Sequence, residues 1–140
     1  MGTYFTTIRR NTTVGTDILD ITDEIEAAVH TAGVKDGIVV VGVAGSTASV
    51  TTIEFEPGVV EDLRKAIERL APQQLRYAHD DRWGDGNGYA HVRSALLGPS
   101  ATFAIRQGKV VRGTWQQIVL CDFDNRPRSR EVYVQMLGTC

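Results

Sequence analysis

Residues Gly37–Ala44 read GIVVVGVA, an unbroken apolar run in which Ile38, Val39, Val40, Val41 and Val43 are β-branched. A run this short and this rich in β-branched side chains predicts a strand buried on both faces, which places it at the centre of the fold. Near the other end of the chain, Glu131–Leu137 reads EVYVQML. Val132, Val134 and Met136 fall on one face of that segment and Tyr133, Gln135 and Leu137 on the other, so at least one face packs against another layer. Between and around these segments, Phe5–Val14, Ile18–Ile21, Val50–Phe55, His91–Leu97, Ala101–Arg106, Val110 onward and Thr114–Phe123 favour strands, with Gln107-Gly108 as a turn.

Two segments break the β pattern. Asp23 followed by Glu26 suggests a capped helix with Ile25, Ala28 and Val29 on its apolar stripe and Gly33 as its stop. Pro57-Gly58 starts an amphipathic helix running to about Leu70, with Val59, Leu63, Ile67 and Leu70 inward and a Glu61–Lys65 pair outward. From Pro72 to His91 the periodicity is lost, which predicts a long loop of the kind that usually carries function. The expectation is one α+β domain over residues 1–140, built on a sheet or sandwich of about seven or eight mostly antiparallel strands with two inserted helices.

The 140 residues are 42% hydrophobic, enough to bury a core without disulfides or metal. A net charge of −2 argues against nonspecific binding to nucleic acid or an anionic membrane. Cys121 lies in an apolar run and Cys140 is the last residue, so two reduced thiols are expected. Met1–Asn11 is polar with a double arginine and unlike a signal peptide, and no apolar run is long enough to span a bilayer, which predicts a cytoplasmic protein.

Candidate function concentrates in His79–Ser100, HDDRWGDGNGYAHVRSALLGPS. Trp83-Gly84-Asp85-Gly86-Asn87-Gly88 alternates glycine with other residues, so backbone N–H groups around Gly86, Asn87 and Gly88 can approach a bound anion. His79, Asp85, His91 and Arg93 flank them. A second candidate loop, Gly45-Ser46-Thr47-Ala48-Ser49, interrupts the buried strand with hydroxyl groups, and Ser46 and Thr47 are suited to phosphate oxygens. Each has a plainer alternative: a hairpin turn, a solvent-facing Arg93, or a structural histidine pair. Trp115 reads as a subunit interface, and Arg126, Arg128 and Arg130 as a solvated hairpin or a phosphate patch serving a neighbouring subunit. His30, at a helix end, is expected to meet solvent.

The segments Asp85–Ser100 (DGNGYAHVRSALLGPS), Gly113–Ile118 (GTWQQI) and Asp122–Arg128 (DFDNRPR) closely resemble the YjbQ-like family, in matching order along almost the whole chain. The resemblance implies a β-sandwich fold, a homotrimer, a metal site built from histidines and a weak thiamine-phosphate synthase activity. The family's His-Thr-Thr-Ala-Gly segment falls on Gly45–Ser49, where its histidine is absent, and its His-Ala-His becomes Tyr89-Ala90-His91. A three-histidine zinc site therefore does not transfer. The alternative set is His79, His91 and Glu54, holding zinc or magnesium.

Thiamine-phosphate formation joins a pyrimidine methyl diphosphate to a thiazole phosphate, and its difficult step is departure of diphosphate. Charge neutralisation by a divalent ion on Asp85 or Glu54, by Arg93 and by the loop N–H groups answers that need, with His91 as metal ligand or proton donor. A metal-dependent hydrolase or phosphatase using the same groups and a noncatalytic trimeric binder of a phosphorylated metabolite or metal are the other two expectations.

Overall fold

The computed structural model describes residues 1–140. Eight strands and four helices follow in the order β1 (Gly2–Asn11), β2 (Asp17–Asp20), α1 (Thr22–Ala32), β3 (Asp36–Val43), β4 (Ala48–Ile53), α2 (Pro57–Leu70), α3 (Ala78–Trp83), α4 (Gly88–Leu97), β5 (Ser100–Arg106), β6 (Lys109–Val110), β7 (Gln117–Asp122) and β8 (Ser129–Thr139). The strands form a five-stranded sheet, β1-β8-β3-β5-β6, and a three-stranded sheet, β2-β7-β4. All pairings are antiparallel. The α+β class and the strand count agree with the sequence expectation.

The apolar run lies inside its sheet, with β3 between β5 and β8, but it is buried on one face and not on both: Val39, Val41 and Val43 face the core, while Ile38 is exposed and Val40 half-buried on the outer face. Val39 and Val41 join Val132, Val134 and Met136 of β8, Val50 of β4 and Ile118 and Leu120 of β7 in one core between the two sheets, closed by Ile25 and Val29 of α1. The alternate residues of β7, Val119 and Cys121, turn outward and meet Val60 and Ile67 of α2 and Tyr89 and Ala90 of α4. The three-stranded sheet is therefore covered on both faces, as its continuous apolar sequence requires.

Several local readings need correction. His91–Leu97 is not a strand but most of α4, whose buried residues Tyr89, Ala90, Arg93 and Ser94 follow helical spacing. The aperiodic stretch before it contains the short helix α3. The start of α1 is held by Asp20, whose Oδ1 accepts from the Thr22 N–H and hydroxyl, while Glu26 accepts from the Val110 N–H. In α2 the buried residues are Val60 and Ile67, with Leu63 half-buried against the same cluster as expected, while Leu70 is exposed and Glu61 pairs with Arg64 in place of Lys65. Glu56 caps that helix by accepting from the Gly58 and Val59 N–H groups, and these bonds pull its carboxyl below the ordinary range. No helix is long and apolar enough to cross a membrane.

Candidate active site

The ends of β3, β4, β7 and β8 converge at one edge of the sandwich. The turn after β3 carries Gly45, Ser46 and Thr47, and the Phe123 N–H donates to the Thr47 carbonyl at 3.0 Å, fastening the end of β7 to this turn. Ser94 of α4 donates to the Ala48 carbonyl at 2.6 Å, and Asn87, just before the helix, donates to Asp124 Oδ1 at 3.2 Å, which sets the N-terminal end of α4 beside the same place. A polar cleft of about 510 Å³ results, lined by Gly45, Ser46, Thr47, His79, Trp83, Asp85, Asn87, His91, Arg128 and Arg130.

One side of the cleft is histidine and carboxylate. His79 Nδ1 lies 3.3 Å from Asp85 Oδ1 and 3.5 Å from Asp80 Oδ1, and its ring packs on that of His91 with centroids 4.3 Å apart. Gly84, at φ 71°, ends α3 in the left-handed region and turns the chain so that Asp85 comes back toward His79. One donor atom from each of His79, Asp80 and Asp85 lies within 4.8 Å of the others, so a nitrogen and two carboxylates suit a divalent ion.

The other side is built on two buried aspartates. Asp122 accepts from Arg130 Nε at 2.7 Å, Arg130 Nη2 at 3.0 Å and the Thr12 hydroxyl at 2.7 Å. Asp124 accepts from Asn87, the Asn125 N–H, the Thr47 hydroxyl and Arg128 Nε. Burial opposes ionisation of Asp124. The hydrogen bonds from Asn125, Asn87 and Arg128, together with the Arg128 charge, outweigh it and hold the carboxyl down at about 2. Arg130 Nη2 also donates to the Thr47 hydroxyl at 2.7 Å. Trp83 is 67% exposed at the rim, with the Arg82 guanidinium 5.3 Å from its ring centroid.

Among the candidate residues, the cleft gathers Ser46, Thr47, His79, Asp85, Asn87 and His91. Gly86 and Gly88 flank it, but the Gly88 N–H is already given to Asp80 Oδ1 at 2.9 Å. Arg93 is a correction. Its side chain is buried beneath α4, donating to the Ala71 carbonyl at 3.0 Å and the Thr16 hydroxyl at 2.9 Å and pairing with Glu68, so it cannot reach a ligand in the cleft. Glu54 is a second correction, because it follows the far end of β4 and lines a separate cleft with Asp20, Glu56 and Trp115. At ~3.3 Å per residue, β4 separates Glu54 from Thr47 by about 20 Å, so Glu54 cannot share an ion with His79 and His91. Asp80, Asp122, Asp124, Arg128 and Arg130 complete the site. The acids and arginines of DFDNRPRSR, Asp122–Arg130, at the end of a buried strand were the available signal, and of the three arginines in that stretch Arg126 alone is exposed.

Comparison with known proteins covers nearly the whole chain. The family model described as "UPF0047 protein YjbQ-like" matches residues 6–139. A UPF0047 protein of Methanocaldococcus jannaschii is 39% identical over 87% of this chain and 86% of its own length, and the UPF0047 protein YugU of Bacillus subtilis is 33% identical over 94% and 98%. Among solved structures, a YbjQ-like protein of unknown function from Sulfolobus solfataricus superimposes with a TM-score of 0.94 at 36% identity, covering 99% of both chains.

Proposed function

Since the chain belongs to the YjbQ-like family along nearly its whole length, we propose that the polar cleft binds a phosphorylated heteroaromatic small molecule together with a divalent cation and catalyses thiamine-phosphate formation, the activity implied by the family resemblance. The observation that carries this reading is the facing of two arginines and Ser46 against a histidine–carboxylate group, with Trp83 exposed at the rim; the Thr47 hydroxyl, expected to meet phosphate, is instead spent between Asp124 and Arg130. Phosphate oxygens need directed cationic donors, a departing diphosphate needs charge neutralisation, and a pyrimidine ring needs a flat apolar partner.

His79, Asp80 and Asp85 are the residues that would hold the cation, and zinc or magnesium bound there would neutralise charge on the departing diphosphate. Arg128, Arg130 and the Ser46 hydroxyl receive phosphate oxygens, while Trp83 stacks the pyrimidine. The C–O bond to the methylene carbon breaks and its electron pair leaves with diphosphate, to which His91 gives a proton. The thiazole ring nitrogen then forms the new C–N bond at that carbon.

The test counts turnovers of thiamine phosphate from the two phosphorylated precursors with Mg²⁺, comparing wild type with His91→Ala. Multiple turnovers that fall at least roughly a hundredfold in the folded variant are expected. Equal traces in both would refute the assignment. Free phosphate without thiamine phosphate would replace transfer by hydrolysis, and ligand binding without turnover would make the protein a binder.

We further propose that the chain assembles as a homotrimer. The outer face of the five-stranded sheet supports association, because the cross-strand rows Thr3–Leu137–Ile38–Ala104 and Phe5–Gln135–Val40–Thr102 carry no charge and leave Phe5, Ile38 and Leu137 exposed. Light scattering should give three times the 15.3 kDa chain mass. A monodisperse monomer would contradict it.

A further inference from the structure

We infer that the arginine side of the cleft is a preformed subsite for a phosphate group in which Arg130 Nη1 is the decisive donor, and that Gly45 is the specificity-determining residue that keeps this donor open. This rests on the phosphate reading of the cleft proposed above. Arg130 presents its Nε–Nη2 edge to Asp122 and gives Nη2 to the Thr47 hydroxyl as well, so the guanidinium is fixed at three points. Its Nη1 makes no hydrogen bond within the protein and lies on the side of Gly45. Arg128 repeats the pattern, with Nε at 2.8 Å and Nη2 at 2.6 Å from Asp124 Oδ2 and Nη1 left over. Two guanidinium groups thus stand with their orientation fixed by buried carboxylates and one amino group each to spare.

Gly45 has no backbone reason to be glycine, since it is not among the residues at positive φ. The reason lies in the contact: a Cβ at this position would stand 2.9 Å from Arg130 Nη1 and 4.0 Å from its Cζ. A free surface arginine would swing aside at little cost. Arg130 cannot, because any displacement loosens its bonds to Asp122 and Thr47, and its side chain is only 11% exposed. A methyl group at position 45 therefore either covers Nη1 or dislodges the guanidinium. Because Asp122 and Asp124 match the charges of the two arginines, the subsite supplies direction more than net positive charge, and tight binding of a phosphate group requires a cation on the histidine–carboxylate side.

Calorimetric titration with inorganic diphosphate, with and without Mg²⁺, tests this on wild type, Gly45→Ala, Arg130→Lys and the double variant. Wild type should bind diphosphate more tightly with Mg²⁺ present. Gly45→Ala should weaken diphosphate binding roughly tenfold or more, as expected for loss of one charge-assisted hydrogen bond, while leaving the circular dichroism spectrum unchanged. The double variant should be no weaker than Arg130→Lys alone, because both changes remove the same donor. If wild type binds and Gly45→Ala binds within twofold of it, or if the two changes add, the role of Gly45 is refuted while the phosphate reading stands. If wild type fails to bind diphosphate under either condition, the phosphate reading itself falls, and this inference with it.

Discussion

Replacing Asp124 by Asn should convert part of the acid sensitivity of this protein into a constant loss of stability. The Asp124 carboxylate is inaccessible to solvent and accepts from Asn87, the Asn125 N–H, Thr47 and Arg128. Its pKa stands at about 2 against an ordinary value of 3.8. At ~1.36 kcal/mol per factor of ten, that gap amounts to about 2 kcal/mol of stability. The native pKa is depressed, so the unfolded chain binds the proton first. The contribution is complete above pH 3.8 and disappears as pH falls through 2. An amide at this position also turns an NH₂ group toward donors and leaves Arg128 without its partner, for a loss of about 3 kcal/mol near neutrality. Urea unfolding followed by circular dichroism at pH 6 and pH 2.5 measures both effects. The gap between wild type and Asp124→Asn should be about 3 kcal/mol at pH 6 and should narrow by roughly 1.5 kcal/mol at pH 2.5. A gap that is the same at both pH values would show that Asp124 is not the ionised anchor of these contacts.

Other consequences follow from the same geometry. Arg93→Ala should destabilise the fold by about 3 kcal/mol, because Glu68, the Ala71 carbonyl and Thr16 lose a buried partner; diphosphate affinity of the folded variant should stay within twofold of wild type by calorimetry. Asp85→Asn should weaken Mn²⁺ binding about tenfold, whereas Glu54→Ala, at the far end of β4, should leave it unchanged in the same titration. Burial pushes the Cys121 thiol up to about 12, while Cys140 is exposed. Ellman's reagent at pH 8 should therefore label one thiol per native chain and two in urea, and rapid labelling of both in the native protein would contradict the packing of β7 against α2 and α4.

The sheet was legible because strands announce themselves locally. GIVVVGVA and EVYVQML carry the burial of their inner faces in their own side chains, and β3 and β8 are paired through those very residues, from Ile38 with Leu137 to Val43 with Val132. Helix α4 was not legible in the same way. Its buried face includes Arg93 and Ser94, and what makes these polar residues tolerable inside is supplied by Glu68, Ala71, Thr16 and Ala48, between 22 and 77 residues away. Hydropathy therefore showed alternation where the chain makes a helix. Within the site, His79, Asp85, Asn87 and His91 could be found because they are close in sequence. The partners across the cleft could not be found by proximity, since Arg130 reaches Thr47 over 83 positions. Glu54 was misplaced for a simple reason of length: a six-residue strand separates it from the hydroxyl turn.

Paramagnetic broadening of histidine resonances offers a direct test of the cleft as a joint site for a cation and a phosphate group. The chain has three histidines, two in the cleft and the third, His30, in the last turn of α1. That end of α1 leads into the start of β3, and the eight residues of this strand, at ~3.3 Å each, separate it from the cleft by about 26 Å. On titration with Mn²⁺, the imidazole proton signals of His79 and His91 should broaden while that of His30 stays sharp, and inorganic diphosphate should lower the Mn²⁺ concentration required. Equal broadening of all three, or no response of His79 and His91 with diphosphate present, would remove the cleft as the functional site.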